Sequence, residues 1–371
     1  MLETLPADDA DLATLVRPAR RWVPKHVLVT RSAAELEHGQ QIIARCTAAG
    51  VQDIRLLDGD RLTGLRGGTE REVYARAKQT LAVVVAPPSA LRPQPIPPSA
   101  DWRLDLAKGC PAHCQYCYLA GSLQGPPITR VYANLDDVLA PIPSLAGQGT
   151  VTTGDALRGG EGTTFELSCY TDPLGIESVT GSLSSAIARV GRGEYGDGVS
   201  LRFTTKFDDV APLLDLPHDG RTRVRLSVNS AAVSRRFEGG TASVSARITA
   251  LRDLARAGYP VGLTVAPVMP LPGWQDDYAA LLREVAAALP ADVDLTVELI
   301  THRFTEASRA VLLSWYPRTL LDLDDAGRSA KRSKFGGTKY VYPAPLMREM
   351  RTWFEREVDA TLPQARVLYW T

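Results

Sequence analysis

Short apolar runs alternate with amphipathic stretches over most of this 371-residue chain, and this alternation constrains the fold more than any other feature of the sequence. Runs such as Leu81 to Ala86 have the length of buried strands, whereas Ser32 to Cys46, with a capping serine at its start, has the pattern of a helix. Repeated alternation of strand and helix predicts a parallel sheet. We therefore expect an α/β fold with catalytic groups at the carboxyl ends of its strands.

The elements predicted in residues 99–325 correspond to a partial (βα)6 barrel. Strands are expected at 164–169, 200–205, 223–229, 261–266 and 294–300, and helices at about 178–190, 241–257 and 276–289. Residues 1–98 would form an N-terminal α/β segment that starts with a strand at 26–30 and ends in a proline-rich connector, and residues 326–371 a basic hairpin and a terminal helix. The glycine-rich stretch Leu145 to Gly162 has no periodicity and is expected to be a mobile insertion.

Composition places the chain among ordinary globular proteins and gives no global sign of its partner. Hydrophobic residues make up 44% and charged residues 23% of the chain, and its 42 basic residues equal its 42 acidic ones. Nucleic-acid binding would therefore need a local basic patch. The first residues lack the pattern of a signal peptide, and no apolar run approaches the about 20 residues that span a bilayer. We expect a cytoplasmic protein without a membrane partner.

Cys110, Cys114 and Cys117 form a Cys-x3-Cys-x2-Cys loop, which carries most of the functional information in the sequence. A [4Fe–4S] cluster has four irons and normally takes four thiolates, so three thiolates leave one iron open to a small molecule. Zinc usually takes four protein ligands, or three and a water, and a disulfide scaffold needs an even number of cysteines. These alternatives suit the spacing less well, and we expect a [4Fe–4S] cluster in a reducing compartment.

The same spacing is typical of the radical S-adenosylmethionine (SAM) superfamily, and an ordered set of further motifs resembles the spore photoproduct lyase family within it. The motifs are Gly109 to Leu119, Arg130 to Leu135, Phe165 to Asp172, Thr205 to Phe207, Arg225 to Asn229, Glu298 to Phe304, Lys339 to Tyr342 and Leu368 to Thr371. The resemblance implies a radical-SAM barrel and light-independent repair of a methylene-bridged thymine dimer in DNA. It also implies SAM as cofactor and a low-potential electron donor, which the sequence does not identify.

The resemblance implies specific catalytic residues. Cys169 matches the thiol that returns a hydrogen atom to the repaired thymine, after a 5′-deoxyadenosyl radical has removed one from the lesion. Tyr116 and Tyr118 match the tyrosines that relay a hydrogen atom back. From the residues alone, Cys169 would be a small packing residue and the two tyrosines would shield the cluster. Tyr170 departs from the family, in which a smaller residue usually follows the donor cysteine.

SAM needs further contacts beyond an open iron, and the resemblance implies four residues at strand ends. These residues are Thr171, Lys206, Ser227 and Asn229. Strand-end residues of these types also serve as helix caps or surface groups. The superfamily's Gly-Gly-Glu motif has a match at residues 159–161, but this match precedes its strand and is expected to be fortuitous.

A local basic segment, residues 328–342, contains five cations, three aromatic residues and no acid. Cations interleaved with aromatic residues suit phosphate contacts and an apolar wedge beside a flipped base. The residues expected to contact substrate or DNA are His302, Arg303, Arg332, Lys334, Phe335 and Tyr340. Charge runs are also common on solvated faces, strand-end pairs such as 302–303 also form salt bridges, and Phe335 stands where the family is expected to have tyrosine.

The sequence thus predicts a SAM-dependent lyase that splits a thymine dimer in DNA. Two alternatives stay open. One is a radical SAM enzyme with a different nucleic-acid or small-molecule substrate, and the other is a non-catalytic iron–sulfur protein that binds nucleic acid. SAM cleavage under reducing, anaerobic conditions separates the second from the others, and supplying the lesion separates the first.

Overall fold

The computed structural model describes residues 21–63, 67–123, 125–156, 158–167, 169–332 and 337–371. Over these residues the β-strands are β1 His26–Val29, β2 Asp53–Leu56, β3 Thr80–Val84, β4 Gln94–Ile96, β5 Ala100–Leu104, β6 Ala107–Lys108, β7 His113–Cys114, β8 Thr129–Tyr132, β9 Thr163–Leu167, β10 Val199–Thr205, β11 Thr222–Val228, β12 Glu238–Gly239, β13 Val261–Val268, β14 Leu295–Thr301, β15 Phe304–Thr305, β16 Ser329–Arg332, β17 Thr338–Val341 and β18 Arg366–Trp370.

The α-helices over the same residues are α1 Arg31–Glu35, α2 Glu37–Ala48, α3 Glu70–Ala77, α4 Leu135–Leu139, α5 Ile142–Leu145, α6 Val151–Gly154, α7 Glu177–Thr180, α8 Ser182–Gly191, α9 Ala211–Leu214, α10 Ala231–Phe237, α11 Val244–Arg256, α12 Trp274–Ala288, α13 Glu306–Trp315 and α14 Ala344–Thr361. Short 3₁₀ turns occur at Tyr118–Gly121, Gly159–Glu161 and Leu174–Ile176. Within the described ranges, none of these helices combines the length and apolar character needed to cross a bilayer.

The first sheet has the strand order β2-β1-β3-β8-β6 and is parallel except at its edge strand β6. Its apolar runs are buried on both faces, which is why the strands predicted at 26–30 and 81–86 are confirmed. The helix predicted from Ser32 to Cys46 is instead two helices, because Leu36 is extended between them with ψ of 141°. Ser32 is not the N-cap, since its backbone N and Oγ donate to the Asp60 carboxylate at 2.9 and 2.7 Å.

The second sheet has the order β18-β14-β13-β11-β10-β9-β5-β4 and curls into a half-barrel. All its neighbouring strands are parallel except β4 and β5. The five strands predicted between residues 164 and 300 are confirmed to within a residue or two. The last strand, β18, was not predicted, and it follows α14 to pair with β14. Because the strands are parallel, their carboxyl ends share one edge, called the mouth below.

Both sheets use strands from either side of the boundary predicted at 98/99. Strands β6 and β8 join the first sheet, and β4 joins the second. Strand β18, which lies beyond the boundary predicted at 325/326, completes the half-barrel. The three-part division therefore stays a prediction and does not correspond to separate sheets.

A buried ionic network crosses the interior of the half-barrel. The guanidinium of Arg225 donates to the carboxylates of Glu166 and, at 2.6 Å, of Glu298. Arg202 forms a second ion pair with Glu298, and these side chains are at most 6% exposed. Buried ion pairs of this kind are weak contributors to stability, but removing one partner is costly because the other charge stays buried.

The glycine-rich segment expected to be a mobile insertion is anchored to β5. The Asp101 carboxylate accepts hydrogen bonds from the backbone N of Val151 (2.8 Å) and from the backbone N and Oγ1 of Thr152 (3.2 and 2.7 Å). Arg158 is 2% exposed and donates to the carbonyls of Pro98 and Ser99, both at 3.0 Å. The expectation of a loose insertion was wrong, because long-range side-chain contacts leave no trace in local periodicity.

Candidate active site at the mouth of the half-barrel

Polar side chains gather where the parallel strands end. Cys169 and Thr171 follow β9, Lys206 follows β10, Asn229 follows β11, and His302 follows β14. Five of the residues predicted from the sequence for catalysis, SAM and substrate therefore lie at the mouth.

The match to Gly-Gly-Glu lies at the opposite edge of the sheet. Residues 159–161 precede β9 and border a cavity of about 950 Å³ at the amino ends of the strands. The cations that line this cavity are paired, for example Arg221 with Asp197 at 2.8 Å and Arg223 with Asp294 at 2.7 Å. The cavity is remote from the cysteines, and its charges stabilise the fold.

The cysteine loop is held in place by backbone contacts. Gly109 opens the loop with φ of 89°, and a Cβ there would approach a backbone oxygen to 2.1 Å, so only glycine fits. Lys78 Nζ donates to the carbonyls of Cys110 at 2.7 Å and Ala112 at 2.6 Å. Strand β7, within the loop, pairs with β12. The loop is therefore tied to both α3 and the half-barrel.

The three loop cysteines could hold corners of an iron–sulfur cluster. Cys110, Cys114 and Cys117 are free, half-buried thiols. Burial raises the pKa of Cys110 and Cys114, and the charges of Lys78 and Lys206 oppose that rise and favour the thiolate. In the described part of the chain, no group of three His, Cys, Asp or Glu side chains is arranged to hold one metal ion. In an iron–sulfur cube each thiolate binds a different iron, so three thiols on one loop could hold three of its irons.

Glu238 links the cysteine loop to the strand ends, and the sequence analysis missed it. Its carboxylate accepts from the Tyr116 hydroxyl and from Lys206 Nζ at 2.9 Å, and it pairs with Arg247 at 2.6 Å. Burial alone would raise the pKa of Glu238, but Lys206, Arg247 and Tyr116 lower it to about 2. Lys206 Nζ also donates to Ser227 Oγ at 2.8 Å. The sequence around this acid has no pattern that could have indicated the network.

Thr171 and Asn229 differ in whether the protein supplies hydrogen-bond partners for their side chains. Thr171 Oγ1 is buried and has no hydrogen-bond partner among the described residues, so it is free to bond to a ligand. Its neighbour Asp172 accepts from the Lys206 backbone N at 2.7 Å. The Asn229 side chain donates to a backbone carbonyl and accepts from the Tyr278 hydroxyl, both at 2.8 Å. Asn229 is 0% exposed, and its contacts hold the strand end in place.

Cys169 and Tyr118 are neighbours at the mouth. The Tyr118 hydroxyl donates to the Cys169 carbonyl, and the Tyr118 side chain is 64% exposed. Burial raises the pKa of Cys169 well above its usual range, and the nearby carboxylates of Glu166 and Asp105 add to the rise. The thiol therefore stays protonated, as a hydrogen-atom donor must.

His302 and Arg303 occupy different environments after β14. His302 is 2% exposed, and its Nε2 has no hydrogen-bond partner within the described residues. Burial, assisted by the Arg328 charge, lowers the pKa of His302 to about 3, so the ring is neutral. Arg303 is exposed and interacts electrostatically with Tyr118 and Tyr369. Arg303 thus lies near the proposed relay, whereas His302 lies below the surface.

The predicted basic hairpin consists of β16 and β17, and β17 also pairs with β15 to complete a small antiparallel sheet. Arg332 is exposed on it. Tyr340 stacks on the aromatic ring of β15 with centroids 5.4 Å apart, and its hydroxyl donates to Glu306 at 3.1 Å. Lys334 and Phe335 lie outside the described residues. The hairpin therefore presents cations, but Tyr340 is engaged within the fold.

Comparison with known proteins agrees with this geometry. The family model described as spore photoproduct lyase matches residues 22–371. The curated spore photoproduct lyases of Geobacillus sp. and Bacillus subtilis are 39% and 35% identical over 352 residues, which is 94% of this chain and 99% of each relative. A solved spore photoproduct lyase mutant with bound AdoMet and dinucleoside spore photoproduct has a TM-score of 0.85 and 37% identity, covering 95% of this chain and all (100%) of that one.

A second solved spore photoproduct lyase, complexed with dinucleoside spore photoproduct, also has a TM-score of 0.85, with 38% identity over 95% of this chain and 100% of that one. The likeness extends over nearly the whole length of every one of these proteins. This chain therefore belongs to the spore photoproduct lyase family.

Proposed function

We propose that this protein is a radical SAM carbon–carbon lyase that converts spore photoproduct, the methylene-bridged thymine dimer, into two thymines without light. The observation that carries the proposal is the position of Cys169, whose protonated thiol lies at the mouth beside Tyr118. Spore photoproduct lyases of the same fold bind AdoMet and dinucleoside spore photoproduct, which supports the choice of cofactor and substrate. The half-barrel is, on this proposal, a radical-SAM barrel.

Cys110, Cys114 and Cys117 would hold a [4Fe–4S] cluster with one open iron. The cluster and SAM, when bound, supply the 5′-deoxyadenosyl radical that removes a hydrogen atom from the lesion. The chain's own residues would bind and orient SAM. Lys206, fixed by Glu238, presents an ammonium group suited to the SAM carboxylate. Further contacts would come from the unpartnered hydroxyl of Thr171 and from Ser227, with Asn229 positioning its strand end.

Cys169 would return the hydrogen atom. After the bridging bond has broken, the thymine radical takes hydrogen from Sγ, so that a C–H bond forms and the S–H bond breaks. The sulfur-centred radical is then reduced by a hydrogen atom from a phenol, and the phenoxyl radical left at the end of the relay would regain its hydrogen atom from 5′-deoxyadenosine. Tyr118, bonded to the Cys169 carbonyl, is placed for this step, and Tyr116, bonded to Glu238, would be the next member of the relay.

The DNA partner would approach the mouth with the lesion extruded from the duplex, because a stacked dimer is not accessible. Arg303 would face the lesion with the buried His302 beneath it, and Arg332, Lys334, Phe335 and Tyr340 of the hairpin segment would lie along the DNA. An electron donor of low potential, not identified here, would reduce the cluster. All five cysteines are free thiols, which supports a reducing compartment such as the cytoplasm.

The test is product analysis with the dinucleotide lesion under anaerobic, reducing conditions. Wild-type enzyme should yield clean thymine. Cys169→Ala should keep the cluster, SAM cleavage and the first hydrogen abstraction, but yield adducts with solvent species or reductant. Clean repair by this variant at the wild-type rate would contradict the proposed role.

Cys114→Ala is the matched control for the first steps, namely cluster binding and SAM cleavage. It should lose both cluster and SAM cleavage, whereas Cys46→Ala should lose neither. SAM cleavage by wild-type enzyme without any repair of the lesion would favour a different substrate. A stable cluster without SAM cleavage would favour a non-catalytic nucleic-acid-binding protein.

A further inference from the structure

Two cations stand directly opposite each other at the edge of the first sheet. In the antiparallel register of β6 and β8, Lys108 pairs with Arg130. Their strand neighbours Ala107 and Val131 are 0% exposed and pack into the core on the other face, so both cations project to the opposite side. Like charges directly opposite each other destabilise a sheet. The fold therefore accepts a cost at this position.

The described residues hold neither Lys108 nor Arg130 in a close ion pair. Within the described residues, neither the Lys108 ammonium nor the Arg130 guanidinium makes a hydrogen bond or an ion pair. A third cation, Arg103, lies nearby and is 3.4 Å from Asp105. Asp105 also interacts electrostatically with Lys108. Arg103 and Lys108 thus both interact with Asp105, and Arg103, Lys108 and Arg130 are together called the edge patch below.

The edge patch faces the reaction centre. The Arg103 guanidinium lies 4.7 Å, and Lys108 Nζ 5.7 Å, from the centre of the Tyr170 ring. Tyr170 directly follows Cys169, and the charge of Arg103 acts on the Cys169 thiol. Cations around an aromatic ring are a common arrangement where proteins bind single-stranded nucleic acid. Tyr170, which departs from the family pattern, has a place in this arrangement.

The cations of the edge patch are not the ones that act most strongly on the cysteine-loop thiols. Among the groups that act on the loop thiols, Lys78 is the foremost cation at Cys110, and Lys206 is the foremost cation at Cys114. The edge patch instead surrounds Tyr170, at the β5 and β9 end of the mouth. The hairpin lies at the other end of the sheet, after β14. The mouth is therefore flanked by cations on two sides.

We propose that the edge patch binds the phosphates of the DNA strand immediately beside the lesion. This inference rests on the proposed function, and it adds a backbone-binding surface across the mouth from the hairpin. A strand held on both sides would keep the dimer over Cys169. Phosphate is the partner that fits, because the patch has three cations for one neighbouring carboxylate and a ring on which a base or sugar can pack.

The test compares two ligands, a hexanucleotide that carries the lesion and the dinucleoside lesion, which has no phosphate. Lys108→Gln/Arg130→Gln should lower the ratio of the two affinities about tenfold at low salt. The slope of log affinity against log salt for the hexanucleotide should fall by about 1.4, or about 0.7 for each lost contact with a single strand. Thermal stability should not fall, because the substitution removes a like-charge pair.

Two matched variants complete the test. Arg348→Gln/Arg356→Gln removes two exposed cations of α14 and should leave the affinity ratio and the salt slope as in wild type. Lys108→Arg/Arg130→Lys keeps both charges and should restore both quantities. An unchanged ratio and slope in Lys108→Gln/Arg130→Gln, with normal iron content, would overturn the inference.

If the proposed function were wrong, the binding measurements would give a different result. Wild-type enzyme would then bind lesion and undamaged hexanucleotide equally well. The salt slope for undamaged hexanucleotide would still show whether Lys108 and Arg130 contact phosphate.

Discussion

At the scale of single residues, Glu238 is the group that connects the two halves of the proposed cofactor site. It accepts a hydrogen bond from Tyr116 in the cysteine loop and another from Lys206 at the end of β10. Its strand β12 also pairs with β7, so the loop and the lysine are held by the same few residues. A carboxylate that is ionised and buried between cations holds its partners in a fixed geometry.

Glu238→Gln tests this role. Glutamine keeps the size of the side chain but removes the charge that fixes Lys206, so SAM should bind about tenfold more weakly, in line with the loss of a charge-assisted hydrogen bond. The measurement is a SAM titration followed by the paramagnetic spectrum of the reduced cluster, with iron content as reference. Glu161→Gln is the matched control, because Glu161 also pairs with an arginine, Arg158, but at the opposite edge. Equal SAM affinity in both variants would argue against the role of Glu238.

The burial of His302 leads to a separate prediction about how stability depends on pH. Its pKa is lowered from 6.5 to about 3 in the folded protein, so below pH 6.5 the unfolded chain takes up a proton that the folded protein does not. Stability is therefore complete above pH 6.5 and is lost as pH falls towards 3, at about 1.36 kcal/mol per pH unit.

Between pH 7.5 and 5, His302→Asn should lose about 2 kcal/mol less stability than the wild-type protein, because it lacks this group. Urea unfolding at the two pH values measures the difference for each protein. Parallel losses in the two proteins would mean that His302 titrates normally.

At the scale of elements, the hairpin of β16 and β17 is an exposed platform with a fixed base. Its base is held by pairing with β15 and by Arg328, which lies 3.8 Å from the centre of the Tyr342 ring. Lys331 and Arg332, near its tip, are exposed. The cation at the base therefore makes contacts within the protein, whereas those near the tip are available to a partner.

Lys331→Ala/Arg332→Ala should weaken binding of lesion-bearing DNA and lower its salt slope by about 0.7 to 0.9 per lost phosphate contact. Iron content and the affinity for the phosphate-free dinucleoside serve as references. Arg328→Ala is the contrasting variant, which should lower the melting temperature because its side chain is 1% exposed and hydrogen-bonded. A salt slope that is the same in the tip variant and in wild type would show that the tip is only a solvated surface.

At the scale of the whole molecule, the half-barrel carries its charges inside. Arg202 and Arg225 converge on Glu298, which is 0% exposed, and the strands that bear them come from three parts of the chain. Such a network specifies how the strands align, because a shift in register would leave a buried charge unpaired.

Glu298→Gln should lower the free energy of unfolding by about 3 to 5 kcal/mol, since it leaves two guanidinium groups without a full counter-charge. Asp53→Asn is the matched exposed variant, because Asp53 pairs at the surface with Arg55 at 2.7 Å and His26 at 2.6 Å, and it should lower stability far less. Urea unfolding of both variants at pH 7 gives the comparison. Similar losses in the two variants would mean that the interior network is not a structural requirement.

Prediction from the sequence worked where the signal is local. The five barrel strands follow from short patterns and lie within a residue or two of their expected bounds, although Cys169, expected as the last residue of its strand, follows β9, which ends at Leu167. The break at Leu36, the anchoring of the glycine-rich segment and the strand β18 were not predicted. Each depends on contacts with distant residues, such as those of Asp60, Asp101 and β14.

The order of amino acids specifies the chemical groups, namely three thiols on one loop and polar residues at the ends of parallel strands. Which of these groups meet depends on how the elements pack. This packing brings Glu238 between Tyr116 and Lys206, although these residues are far apart in the chain, and it sets Lys108 against Arg130 beside Tyr170. The physical reason is that periodicity in the sequence shows on which face of its helix or strand a residue lies. Charge pairing depends instead on which other elements pack against that face.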